Sequence, residues 1–120
     1  MDPVSLADAF ARIPEPWQPR LLASLNGQAV KAARLRGAFV WHHHQAEDEL
    51  FFVVDGTLRM EFRDRAVTLQ AGELLVVPRG VEHRPVAEPE ALVLLFEPLG
   101  TRNTGTVEDP AFTAPTDVPL

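Results

Sequence analysis

The 120-residue sequence contains no cysteine, and its acidic residues outnumber the lysines and arginines by 17 to 11. Without cysteine, neither a disulfide nor a thiolate metal site can form, so any bound metal ion must be held by nitrogen and oxygen ligands. The net charge of −6 argues against a nucleic-acid-binding protein, because such a protein needs a basic face.

Long apolar segments are also missing. No apolar run approaches the roughly 18 residues of a membrane helix, and there is no polybasic cluster for a membrane surface. The first residues, Met-Asp-Pro-Val-Ser-Leu, have neither the basic start nor the apolar core of a signal peptide. The sequence therefore predicts a single domain located in the cytoplasm, with neither a membrane nor a nucleic acid as its partner.

Histidines are few, but they are clustered. The sequence has four, and three of them are consecutive, at positions 42 to 44. Strand geometry would place His42 and His44 on one face and His43 on the other, because side chains alternate along a strand. Glu49 opens the next apolar run, and His83 must be delivered by a distant segment.

Three imidazoles and one carboxylate are ligands that suit a divalent transition metal in an open geometry. We therefore expect one such ion per chain, held by His42, His44, Glu49 and His83. Ligand type alone does not distinguish Fe, Mn, Ni, Co and Zn. Asp48 is the fallback for the carboxylate position.

Short apolar runs separated by Gly, Pro and Asp turns predict an all-β sandwich or barrel. The Asp55-Gly56 pair predicts a two-residue hairpin, and residues 73–77 read as a buried strand. The apolar run 91–97 predicts a central strand that is covered on both sides. The remaining strands are predicted at 38–44, 50–54, 57–62, 66–70 and 81–86.

The two ends of the chain differ from this pattern. Residues 5–13 predict a short helix capped by Ser5. Asn26-Gly27 predicts a hairpin, although a helix over 28–35 is an open alternative. We expect an N-terminal arm at residues 1–20, a β-barrel at 21–98, and an extended C-terminal tail on the surface at 99–120.

Two gapped motifs carry a resemblance to a known family. The first reads Gly37-x4-His42-x-His44-x4-Glu49-x6-Gly56, and the second reads Gly72-x5-Pro78-x-Gly80-x2-His83. Both resemble the two motifs of the cupin superfamily, except that Ala87 stands where the second motif often ends in Asn. The Trp-His-x-His core, Asp-Glu-Leu-Phe and Asn-Thr-Gly are similar to those of short single-domain, cupin 2-like proteins of uncertain function.

The resemblance implies a double-stranded β-helix, that is, a jelly-roll cupin barrel. It also implies a metal-dependent enzyme acting on a small organic molecule. A dioxygenase is slightly favoured over an isomerase or lyase, because no general acid or base is evident beyond the ligands. The alternative is a non-catalytic module that binds a small ligand or metal and acts through a protein partner.

Two further expectations concern the pocket and the assembly. By strand parity, Phe51 and Val53 share the face of Glu49, and Met60 and Phe62 are further candidates for lining a pocket. All four are equally well explained as ordinary core residues. The resemblance, together with the apolar terminal arms, predicts a homodimer.

Overall fold

The computed structural model describes all 120 residues, which form one short helix and six strands. The strands pair in the order β1-β2-β6-β3-β4, β5 pairs with the start of β3, and every pairing is antiparallel. The predicted all-β jelly roll with a short N-terminal helix is thereby confirmed. The elements are α1 (Leu6–Ala11), β1 (Arg20–Leu25), β2 (Gln28–Ala38), β3 (Glu49–Phe62), β4 (Ala66–Gln70), β5 (Leu74–Val77) and β6 (His83–Pro98).

The long strand β3 corrects the prediction of a hairpin at Asp55-Gly56. The chain runs straight on through these two residues, because both halves of β3 pair with the same partner, β6. Register shifts on either side of Gly56 bend this ladder instead of ending it. The Asp-Gly signal is local, and the long-range pairing overrides it. Similarly, the strands predicted at 81–86 and 91–97 are two halves of β6.

The bend determines which residues face each other across the interior. At one end of the β3–β6 ladder, Glu49 begins β3 next to the pair Leu50–Phe96. At the other end, His83 begins β6 and pairs with Phe62. In a straight ladder these ends would lie roughly 40 Å apart, at about 3.3 Å per residue. Instead, Glu49 Oε1 lies 3.6 Å from His83 Nε2. The two halves of the ladder thus form opposite walls of the barrel.

The prediction of a strand over residues 38–44 is wrong in its extent. β2 ends at Ala38, and residues 39–48 form a loop in which His42 alone makes an antiparallel bridge, to His83. The bridge consists of His42 N–H to His83 O at 3.1 Å and His83 N–H to His42 O at 2.9 Å. The predicted alternation nevertheless holds locally, because His42 and His44 are buried while His43 is half-buried.

Two predictions about burial also need correction. β5 is an edge strand that pairs only with β3, and its Leu74 and Val76 are 59% and 49% exposed. β6 is central, as predicted, and flanked by β2 and β3. Its inner face is buried, but its outer face is only partly covered, with Phe96 37% exposed. Apolar composition marked these segments as strands, but it did not tell an exposed face from a covered one.

The terminal segments pack on the barrel. Ser5 caps α1 as predicted, and Phe10 packs with Ala32 on the outer face of the sheet. Trp17 stacks on Phe39 with ring centroids 4.5 Å apart, and Phe112 from the tail meets both rings edge-on. The tail is therefore anchored by an aromatic contact and is not simply extended along the surface.

The Asn26-Gly27 hairpin is confirmed. Both residues have positive φ, 52° and 76°, as a type I′ turn requires. The open alternative of a helix over 28–35 is wrong, since these residues belong to β2. The only helix, α1, has six residues, and the structure contains no helix long and apolar enough to cross a membrane.

The bend at Gly56 should be sensitive to a side chain. Gly56 has a φ of +84°, and a Cβ there would overlap the carbonyl oxygen of Glu90 on β6. Gly72 has a similar φ of +88° with nothing within 4 Å. We expect Gly56→Ala to lower the free energy of unfolding by roughly 2–4 kcal/mol, and Gly72→Ala by about 1–2 kcal/mol from the left-handed backbone alone.

Urea denaturation of both variants beside the wild-type protein measures the difference. Equal losses of stability in the two variants would contradict the close approach of β3 and β6 at this point.

Candidate metal centre

Three separate segments bring together the four residues expected as metal ligands. His42 and His44 lie in the loop after β2, Glu49 is the first residue of β3, and His83 is the first residue of β6. One potential ligand atom from each side chain lies within 4.8 Å of the others, and all four side chains are buried. The shortest approach between rings is 4.3 Å, between the centroids of His42 and His83.

Backbone carbonyls orient two of the imidazoles. The Nδ1 of His42 lies 2.9 Å from the carbonyl oxygen of Val40, and the Nδ1 of His83 lies 2.9 Å from that of Val81. A carbonyl oxygen only accepts hydrogen bonds, so the contact assigns the proton to Nδ1 and leaves the lone pair on Nε2. Histidines that bind metals are usually held by such a bond through their second nitrogen.

The protonation states also suit a metal ion. Burial, reinforced by the charge of His83, lowers the pKa of His42 to about 4. His42 is thus neutral at neutral pH, which is the form that binds metals. Burial alone would raise the pKa of Glu49, but the neighbouring side chains of Glu97, His44 and His83 hold it well below its ordinary value. Glu49 is therefore a carboxylate.

Several buried polar atoms in the cluster have no hydrogen-bond partner within the protein. They are Nδ1 and Nε2 of His44, Oε1 of Glu49 and Nε2 of His83. Glu49 Oε1 lies 3.3 Å from His44 Nε2. Native proteins leave few buried polar atoms unpaired, and a cation between Nε2 of His44, Oε1 of Glu49 and Nε2 of His83 would satisfy these three together. The cluster is therefore consistent with a single metal ion site.

Two charged residues beside the cluster were not identified from the sequence. Glu97 on β6 and Lys31 on β2 are only 2% and 3% exposed, and they form an ion pair of 3.1 Å. Burial and the neighbouring Glu49 raise the pKa of Glu97 well above its ordinary value. Burial lowers the pKa of Lys31, but Glu97 and Asp117 outweigh it, so the pKa is raised overall. The sequence offered one signal for Glu97, because it is a charged residue at the end of the apolar run 91–97.

A cavity of about 30 Å³ adjoins the cluster. This volume is enough for one or two water molecules. Of the four pocket candidates, Phe51 is among the lining residues. Val53 and Met60 lie fully buried in the core and Phe62 lies at the far end of β3, and none of these three lines the cavity. The terminal arms supply part of the wall. The lining residues are Trp17, Pro19, Ala33, Leu35, Phe39, His42, Glu49, Phe51, Pro85, Leu95 and Asn103.

Other polar residues of the first motif lie outside the cluster. His43 is half-buried and is not among the four clustered side chains. Asp48, the fallback carboxylate, is on the surface, where it accepts a hydrogen bond of 2.9 Å from the backbone N–H of Arg79.

The sequence and the fold both match known proteins. The Cupin_2 family, described as a cupin domain, matches residues 35–96. A cupin-2 domain-containing protein from Shewanella frigidimarina NCIMB 400 is 43% identical, with a TM-score of 0.78 over 79% of this chain and 93% of its own. A protein from Neisseria meningitidis is 33% identical, with a TM-score of 0.75 over 81% of this chain and 99% of its own.

A curated relative is similar over a shorter stretch. The uncharacterized protein YdbB of Bacillus subtilis (strain 168) is 38% identical over 64 residues, which are 52% of this chain and 57% of YdbB. The shared region thus spans little more than half of that relative. Because the family match covers both motifs and more than half of the chain, the protein belongs to the cupin family.

Proposed function

We propose that His42, His44, Glu49 and His83 bind one divalent transition metal ion, and that the protein is a metal-dependent enzyme acting on a small organic molecule. One observation supports this most directly: three imidazoles and one carboxylate converge within 4.8 Å in a buried site. Fe, Mn, Ni, Co and Zn all accept such ligands. When bound, the ion would polarise a substrate oxygen or activate dioxygen.

The surrounding residues would select and shelter the substrate. Aromatic and aliphatic side chains dominate the cavity wall, so they would exclude water from the metal and admit only a small apolar part of the molecule. Asn103 offers an amide in the wall. It also ties the two terminal arms together, since its Nδ2 donates to the carbonyl oxygen of Trp17 at 3.4 Å and to that of Phe112 at 2.8 Å.

A dioxygenase-type reaction is favoured over an isomerase or lyase reaction. Among the cavity's lining residues, the titratable ones are His42 and Glu49, both assigned to the metal. Lys31 and Glu97 lie close by, but they pair with each other and do not line the cavity. Proton-transfer chemistry would lack a free acid or base, whereas an oxygenase draws its reactivity from the metal and dioxygen.

The homodimer expected from the sequence is also part of the proposal. Leu50 on the outer face of β3 pairs with Phe96 of β6 and Val76 of β5, and the next row places Leu74 beside Phe52. Helix α1 covers only the adjoining part of this face. We propose that a second copy of the chain covers the rest. The cytoplasmic location stays a proposal as well.

Replacing one histidine tests the metal site. His83→Ala should reduce the metal content of the purified, untagged protein from about one ion per chain to a small fraction, because one of four ligands is lost. His43→Ala is the matched control and should keep the full content. Metal is measured by mass spectrometry of the protein, with circular dichroism as a check on folding.

Unchanged metal content in His83→Ala would rule that residue out as a ligand. A loss in His43→Ala as large as in His83→Ala would overturn the assignment of ligands.

Oxygen uptake tests the proposed chemistry. Metal-loaded protein should consume dioxygen with at least one member of a panel of small carboxylic acids and phenols. Removing the metal with a chelator should abolish this uptake, and resupplying the metal should restore it. His83→Ala serves as the blank.

Substrate loss without oxygen uptake would instead indicate isomerase or lyase chemistry. Stoichiometric metal with saturable ligand binding, but no turnover of any compound, would favour the non-catalytic binding module.

A charge on the outer face tests the dimer. Leu74→Lys should convert the protein to a monomer, because it would place an unpaired ammonium in an apolar interface. Light scattering coupled to gel filtration gives the mass, and Thr68→Lys on β4 is a control at another surface position. A monomeric wild-type protein at micromolar concentration would contradict the dimer.

A further inference from the structure

Two buried carboxylates lie side by side on the inner face of the barrel. Leu50 pairs with Phe96, so the adjacent residues Glu49 and Glu97 come next to each other on the inward side of β3 and β6. Like charges at facing positions of neighbouring strands are destabilising. Burial makes them costlier, unless a compensating charge is present.

Lys31 supplies that charge from the other side of β6. It pairs with Leu95 in the β2–β6 ladder, and its Nζ reaches Oε1 of Glu97 at 3.1 Å. The same Nζ lies 2.8 Å from Oδ1 of Asp117 and donates to the carbonyl oxygen of Thr101 at 3.4 Å. One side of Glu97 is thus fixed by a lysine that the C-terminal segment also holds in place.

The other side of Glu97 faces the metal cluster. Oε2 of Glu97 is buried and lacks a well-aligned hydrogen-bond partner, as does Oε1 of Glu49. The register of the ladder nevertheless places the two carboxyl groups at neighbouring positions on the inner face. Packing does not explain a glutamate here, because Val93 and Leu95 precede it on the same inner face, and an apolar residue would continue that face without a buried charge.

We infer that Glu97, anchored by Lys31, is a positioning residue that holds the Glu49 carboxylate towards the three imidazoles and thereby sets the affinity of the site for its metal ion. The inference rests on the proposed metal site. Metal-binding carboxylates are usually held by such outer partners, and loss of one typically weakens metal binding by about 10–100-fold.

Three variants separate positioning from packing. Glu97→Met keeps the approximate size of the side chain but removes its polar atoms. Glu97→Gln keeps an oxygen for Lys31 and an amide N–H for Glu49. Asp117→Asn changes the second carboxylate that pairs with Lys31. Asp117 does not contact Glu49.

Cobalt(II) is the probe, because its visible absorption reports the geometry of the ligands. Protein stripped with a chelator is titrated with cobalt, and urea denaturation of the stripped protein is measured in parallel. We expect Glu97→Met to bind cobalt about 10–100-fold more weakly with an altered spectrum. Glu97→Gln and Asp117→Asn should stay within a few-fold of the wild-type protein and keep its spectrum.

Wild-type affinity and an unchanged spectrum in Glu97→Met would overturn the inference while leaving the metal site intact. If Glu97→Met fails to fold, the double variant Lys31→Met/Glu97→Met replaces the whole ion pair with apolar side chains, a change that is often tolerated, and the same loss of affinity is expected. Absence of cobalt binding by the wild-type protein would overturn the metal site itself, and this inference with it.

Discussion

The bend in the antiparallel ladder between β3 and β6 is the constraint on which the site depends. Each strand is long enough to cross the molecule, and each begins with a residue of the cluster, Glu49 or His83. Only because the ladder folds over at Gly56 do its two ends meet across the interior. The left-handed backbone of Gly56, and its contact with the carbonyl of Glu90, tie the local conformation of one residue to the geometry of the whole cluster.

The polar groups inside the barrel form a connected arrangement. The backbone bridge between His42 and His83 fixes the two chain segments, and the carbonyl contacts to Nδ1 fix the rings. Glu49 opposes the imidazoles, and behind it lies the ion pair of Glu97 with Lys31. Buried charges are costly unless they are paired. Their presence in the core is consistent with a metal ion site, since stability alone would favour apolar residues at these positions.

The sequence predicted the clustered residues better than it predicted the strands that carry them. The spacing of His42, His44 and Glu49 is a local pattern, and the family resemblance adds His83 and the fold. Strand boundaries depend on distant partners, which is why Asp55-Gly56 was misread as a hairpin. Composition cannot reveal that the edge strand β5 is exposed.

The residues around the cluster were harder to predict, because they come from segments far apart in the chain. Trp17 and Asn103 reach the cavity wall from opposite ends of the sequence. Lys31 and Glu97 meet only through the pairing of β2 with β6. Strand parity gives Phe51 and Val53 the same inward face, and it could not tell that only Phe51 of the two lines the cavity.

Anomalous X-ray diffraction from crystals of the untagged protein, recorded at the absorption edges of the candidate metals, tests the central claim most directly. The account predicts one anomalous peak per chain at about 2.0–2.2 Å, the usual range for nitrogen and oxygen ligands, from His42, His44, Glu49 and His83. A peak bound elsewhere, or no peak after the protein has been supplied with each metal, would contradict it.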